Sequence, residues 1–137
     1  MRPETLLDFM GVAEHLKCNM RHSRMTDHRR ESVAEHTYRL CVFAWLVKEE
    51  FPNCDMDKVM KMCLFHDLGE ALTGDIPAFV KTDDDRETEG DALTLLTAML
   101  PGKERQELDE LFGELEREET MEAKIVHALD KMETLIQ

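Results

Sequence analysis

The sequence has 137 residues, the size of one ordinary domain, with 42% apolar and 34% charged side chains, a composition that fits a soluble globular chain. A balance of 30 acidic against 17 basic side chains leaves a net charge of −13. Such a chain repels polyanions, which argues against a nucleic-acid polymer or an anionic membrane surface as partner, whereas a small phosphorylated ligand needs only a local positive pocket.

In chain order, Leu6, Phe9, Met10, Ala13 and Leu16 recur at the helical period and predict a first helix over about residues 4–20. Acids at Glu4 and Asp8, with no apolar stretch or small-residue cleavage site, do not fit a signal peptide. The polar stretch 21–31 has no apolar periodicity and is predicted to be a loop. Ser32 to Glu35 reads as a capping box opening a second helix, which runs to about Glu50 before Pro52 stops it. That helix contains the longest unbroken apolar run, residues 40–47, eight residues against the roughly 20 needed to cross a bilayer. The single tryptophan, Trp45, is assigned to the core from its place in that run.

Asp55 caps a third predicted helix through Val59, Met60, Met62, Cys63 and Leu64 to about Leu68. Gly69, Gly74 and Pro77 then break the pattern into a short helical turn and a loop over 70–79. Asp83, Asp84 and Asp85 start a helix carrying Leu93, Leu95, Leu96 and Met99, and Pro101-Gly102 ends it. A strongly acidic helix over 103–118 has Leu108, Leu111, Phe112 and Leu115 for its buried face. The last helix, from about Thr120, shows Met121, Ile125, Leu129, Met132 and Ile136 on one stripe.

No strand-like alternation is visible, so the fold class expected is all-α, a compact bundle of about six helices in a single domain over 1–137. The sequence stops seven residues after Asp130, inside a helical pattern, which predicts that a C-terminal helix or tail is missing. Cys18, Cys41, Cys54 and Cys63 form no CxxC pair, and three sit among apolar neighbours. They are expected to be buried reduced thiols in a cytoplasmic protein.

Three places can carry chemistry. With 6 His and 12 Asp in the chain, chance alone supplies roughly 0.5 His-Asp dipeptides, so His66-Asp67 by itself means little. Its surroundings, FHDLGEALTGDIP, add Glu70 one helical turn on and Asp75 after a glycine turn. Four ionisable groups in ten residues beside an apolar run are either solvated, as on an amphipathic helix end, or share a counter-charge such as a divalent cation. His36 follows the capping box; a histidine there is either a hydrogen-bonded boundary residue or a ligand. Asp130 lies at the edge of the last apolar stripe, where Lys131 or Lys124 could equally pair with it.

SVAEH at 32–36, HDLGEALTGDIP at 66–77 and the Asp130 of ALDKMETL together resemble the HD-domain superfamily of metal-dependent phosphohydrolases, most closely its bacterial 5'-deoxynucleotidase branch. The resemblance implies a helical bundle of HD-domain type, and one divalent transition-metal ion held by His36, His66, Asp67 and Asp130. Two imidazoles and two carboxylates suit manganese, cobalt, iron or zinc better than magnesium or calcium. It also implies that Glu70 and Asp75 are the acid/base pair. Arg21, fifteen residues before His36, falls where that branch places a substrate-contacting arginine, but the tryptophan that follows it there is His22 in this chain. Arg24, Arg29 and Arg30 add to the basic stretch, either as part of an anion clamp or as solvated loop residues.

The expected function is therefore a 5'-nucleotidase hydrolysing (deoxy)ribonucleoside 5'-monophosphates. The rivals are a phosphodiesterase or polyphosphorylated-nucleotide hydrolase on the same scaffold, and a non-catalytic nucleotide- or metal-binding regulatory module. The branch tends to dimerise; the 93–99 and 108–115 helices could supply a homodimer face or could equally close the monomer.

Overall fold

The computed structural model describes residues 1–74 and 81–137. Pro at N1 starts α1 (Pro3–Ala13), and a four-residue helix α2 (His15–Cys18) follows after a one-residue break. The predicted 21–31 loop is instead an antiparallel hairpin of β1 (Met20–Arg24) and β2 (Arg30–Ser32), with Met20 opposite Ser32 and Arg24 opposite Arg30. Its strands left no apolar signature because the ribbon is polar, even at the buried Glu31 and Ser32. Arg30 Nε donates to Arg21 O at 2.7 Å, and Arg24 Nη1 donates to His28 O at 2.9 Å, so arginine side chains knit the hairpin together.

The capping box is present: Ser32 Oγ accepts from Glu35 N, Glu35 Oε1 accepts from Ser32 N, and α3 (Val33–Leu46) follows. A 3₁₀ turn at Lys48–Glu50 completes the predicted second helix. Asp55 caps α4 (Met56–Phe65) through Lys58 N. That helix ends three residues earlier than expected. The chain then turns through bonds from Leu68 N to Phe65 O and from Glu70 N to Asp67 O before the short α5 (Glu70–Thr73). Gly69 lets this turn approach α6 closely, because a Cβ there would lie 3.1 Å from Leu93 Cδ2 and push that side chain aside by a few tenths of an ångström.

Thr82 and Asp85 form a second capping box that opens α6 (Asp83–Ala98), and α7 (Gly102–Arg117) and α8 (Met121–Ile136) complete the chain. Six of these helices have ten residues or more, as the all-α expectation required. Among the described residues, no helix is long and apolar enough to cross a membrane.

Helices α3, α4 and α8 pack on one another, α7 closes against α4 and α8, and α6 joins α7 to α5. The core they share includes Leu40, Ala44, Val59, Met62, Cys63, Leu96, Val126 and Leu129. Several sequence assignments change. Trp45 is 53% exposed, under the ammonium of Lys48 at 4.6 Å, because it lies on the side of α3 opposite the core. Leu95 is also exposed, while Ala92, Leu96 and Thr97 form the buried face of α6. On α8 the buried face is Ala123, Ile125, Val126, Leu129 and Glu133, and Met121, Met132 and Ile136 are exposed. Of the cysteines, all unpaired, only Cys63 is fully buried; Cys41 and Cys54 are half-buried and Cys18 is exposed.

Candidate metal centre

The site is assembled from three helix segments distant in sequence. Ser32 fixes the start of α3, which places His36 in its first full turn, facing inward and 0% exposed. His66 is the residue at which α4 ends. Its Nδ1 stands 2.7 Å from the carbonyl of Cys63, which can only accept, so that nitrogen carries the proton and Nε2 is the atom turned to the site. Asp67 follows in the turn, and Asp130 comes from the middle of α8.

One ligand atom from each of His36, His66, Asp67 and Asp130 lies within 4.8 Å of the others. His36 Nε2 is 2.6 Å from Asp130 Oδ1, and His66 Nε2 is 2.9 Å from Asp67 Oδ2 and 3.3 Å from Asp130 Oδ1. Ligands bound at about 2.1 Å from one ion stand at most about 4.2 Å apart, so the four donors need to close by no more than about 0.6 Å. His66 Nε2 is buried and makes no well-aligned hydrogen bond despite those two oxygens. A donor atom placed in this way suits a shared cation better than any one of its neighbours.

Electrostatics support the same reading. Ion pairs link Arg39, Glu133, His36, Asp130, His66, Asp67, Arg21 and Glu31 into one chain of alternating sign. Burial opposes charge on both imidazoles, but the hydrogen bonds of His36 to Asp130 and Glu133 outweigh it and lift His36 to about 9. His66 is raised well above its ordinary value, since Asp67 and Asp130 beside it overcome its desolvation. Burial pushes Asp67, Asp130 and Glu133 up, yet their histidine neighbours win and hold all three below the usual carboxylate range. Glu31 goes the other way: burial and the nearby Glu133 raise it despite Arg21.

With both imidazoles protonated, four acids face four cations. A divalent ion that displaces both ring protons leaves that balance unchanged, so the site can exchange two protons for one ion at little electrostatic cost.

Arg21 points inward from β1. Its Nε donates to Glu31 Oε1 at 3.0 Å, its Nη2 donates to Thr134 Oγ1 at 3.1 Å, and Nη1 is 3.9 Å from Asp67 Oδ2. The strand alternation that turns Arg21 in leaves His22 exposed. Arg29 is turned to Glu35, with its two terminal nitrogens 3.1 and 2.7 Å from the carboxylate oxygens, and so helps hold the start of α3. Glu70 opens α5 and has one carboxylate oxygen buried. Asn19 Nδ2 holds this turn by donating to Glu70 O at 2.5 Å, and His15 Nδ1 approaches Ala71 O at 3.1 Å. Asp75 lies outside the described residues.

Comparison with known proteins decides the family. Residues 13–137 match the HD domain. The chain belongs to the HD domain family. Among its relatives, the Homo sapiens protein named 5'-deoxynucleotidase HDDC2 is 37% identical over 111 residues, covering 80% of this chain and 53% of the human protein. The Xenopus laevis protein of the same name is 34% identical over 139 residues, covering 98% of this chain and 68% of that one. A solved structure of a protein described as a predicted metal-dependent phosphohydrolase, from Magnetospirillum magnetotacticum, superposes with a TM-score of 0.88 at 31% identity. That superposition covers 98% of this chain and 69% of that one. The chain spans about half the length of several curated relatives that it matches.

Three residues of this HD domain site escaped the sequence reading: Glu31, Arg39 and Glu133. A signal for Glu133 existed. It falls seven residues after Val126 and four after Leu129, on the buried stripe of α8, where an acid needs a partner. Glu31, His36 and Glu133 also approach one another as a second buried cluster. Its two carboxylates already face Arg21 and Arg39, so it needs no cation of its own.

Proposed function

We propose that this chain is a metal-dependent phosphohydrolase that releases phosphate from (deoxy)ribonucleoside 5'-monophosphates, and that residues 1–137 belong to one HD domain. The observation that carries the reading is the convergence of His36, His66, Asp67 and Asp130 in a network whose charge closes with either two protons or one divalent ion. The names of the relatives support the substrate class. The four side chains would hold one manganese, cobalt, iron or zinc ion, since mixed imidazole and carboxylate donors favour first-row transition metals. When bound, such an ion supplies Lewis-acid charge at the phosphoryl group and lowers the pKa of a coordinated water.

The chain's own residues do the rest. Arg21, anchored through Nε by Glu31 and through Nη2 by Thr134, turns Nη1 toward the Asp67 side of the site, where it can hold phosphate charge. His22, its exposed neighbour on β1, is the second substrate-contact candidate. Glu70 and Asp75 share the proton transfers: one orients and deprotonates the attacking water, and the other protonates the departing 5' oxygen, a poor leaving group as an alkoxide.

The test is phosphate release from mono-, di- and cyclic nucleotides with manganese or cobalt, repeated with chelator. Release from 5'-monophosphates alone, abolished by chelation, is the expected result. Preferred cleavage of cyclic or diphosphate nucleotides would make the enzyme a diesterase or polyphosphate hydrolase. Nucleotide binding with no turnover under any metal would make it a regulatory module.

A further inference from the structure

Glu133 is an anomaly in α8. It is an acidic side chain with 0% exposure on the stripe that also carries Val126 and Leu129, a place where leucine would serve packing better. Its two oxygens have different partners. Oε2 meets His36 Nδ1, and Oε1 accepts from Arg39 Nε at 2.7 Å. Arg39 Nη2 also donates to the backbone carbonyl of Glu133 at 3.2 Å, so one arginine grips both ends of the residue. His36 is fully buried too, which leaves no water to compete for its Nδ1.

Each ring nitrogen of His36 thus has one task. Nδ1 faces Glu133 on one side, and Nε2 faces Asp130 and the proposed ion on the other. A carboxylate that accepts Nδ1–H fixes the tautomer in which Nε2 carries the lone pair, and it also fixes the ring's rotation. Arg39 stands three residues after His36 on α3. The Arg39–Glu133 pair therefore braces α3 against α8, the two helices that bring His36 and Asp130 together.

We propose that Glu133, clamped by Arg39, is the positioning residue of the metal centre, holding His36 as an Nδ1–H, Nε2-ligand imidazole. The proposal rests on the reading of His36 as a ligand. Its test uses cobalt binding by the full chain, zinc-loaded NMR of the His36 ring, and melting of the metal-free protein. Glu133→Gln retains an acceptor but not the charge, and cobalt should bind it about 10-fold more weakly. Glu133→Ala removes both; affinity should fall by about 10- to 100-fold, and the slowly exchanging Nδ1–H signal should be lost. Arg39→Met, which leaves the carboxylate without its clamp, should weaken binding in the same direction as Glu133→Gln.

A purely structural residue would lower the melting temperature of the metal-free protein and leave cobalt affinity untouched. Should Glu133→Ala fail to fold, the Gln and Met variants decide the matter. Affinity within threefold of the parent in both, with His36→Ala losing cobalt, overturns the positioning role alone. Undiminished cobalt binding by His36→Ala overturns the metal-site reading and this proposal with it.

Discussion

Helices α7 and α8 are the same length and lie side by side, yet they obey different rules. In α7 the apolar positions Leu108, Leu111, Phe112 and Leu115 are the buried ones, and acids occupy half of the remaining positions. In α8 the stripe of Ile125, Val126 and Leu129 ends on the buried Glu133, while Met121, Met132 and Ile136 are exposed. The difference follows from what each helix packs against. Helix α7 buries only apolar side chains and keeps its ion pairs to Lys58 and Lys61 outside that face, whereas α8 carries Asp130 and buries Glu133 against an imidazole. Hydrophobic periodicity describes a helix that is only packed; a helix that also builds a site gives up part of its apolar face to charge.

That contrast can be broken by substitution. The largest effect is expected at the site. Asp67→Ala should reduce bound metal to below about a tenth of the parent, because each lost carboxylate removes a charged ligand; undiminished metal content would remove Asp67 from the ligand set. Glu70→Ala should keep its metal and lose about 10²-fold in turnover. Parallel loss of metal and activity would make Glu70 a ligand instead.

Packing changes come next. Leu111→Ala in α7 and Leu129→Ala in α8 should each cost about 2–4 kcal/mol in denaturant melts. Met132→Ala, on the exposed side of α8, should stay within about 0.5 kcal/mol of the parent. A large loss at Met132 would restore the naive stripe and end the distinction between the two helices. Leu111→Ala should also leave cobalt affinity unchanged.

The last effect is on pH. His36 sits near 9 in the metal-free protein against an ordinary value of 6.5, because its hydrogen bonds to Asp130 and Glu133 overcome burial. A group raised on folding stabilises fully below its unfolded value, and that contribution is lost as pH climbs through the folded one. Thermal melts in chelator should therefore fall between about pH 6.5 and 9. A midpoint that stays level over that range would show that the imidazole is not held as a cation.

Legibility in the sequence tracked how local the determining contacts are. Both ends of the Ser32–Glu35 capping box and the Asp55 cap lie within one helical turn, so their residues suffice to predict them. The four-residue core stripe of α7 was equally readable. Trp45 was not: helical spacing says which residues share a face but not whether another element covers it, and nothing among the described residues buries that side of α3. The 20–32 hairpin escaped because a polar ribbon, even one with Glu31 and Ser32 buried, carries no apolar alternation. Glu31, Arg39 and Glu133 escaped for a related reason. An acid or an arginine in a helical sequence looks like a solvated residue until its partner, 94 positions away in the case of Arg39 and Glu133, is known.

The sequence alone determined a helical chain, its caps, most of its helix starts, and the motifs that mark the HD domain family. Those features depend on neighbours within a few residues or on residue types that the chemistry of a cation requires. Only the tertiary structure decided which apolar stripes are covered, and that His66 ends α4 rather than lying inside it. It alone also set the chain of eight alternating charges running from Arg39 to Glu31. Such choices belong to packing: burial and ion pairing act between segments far apart along the chain, and their strength depends on distances that residue order does not contain.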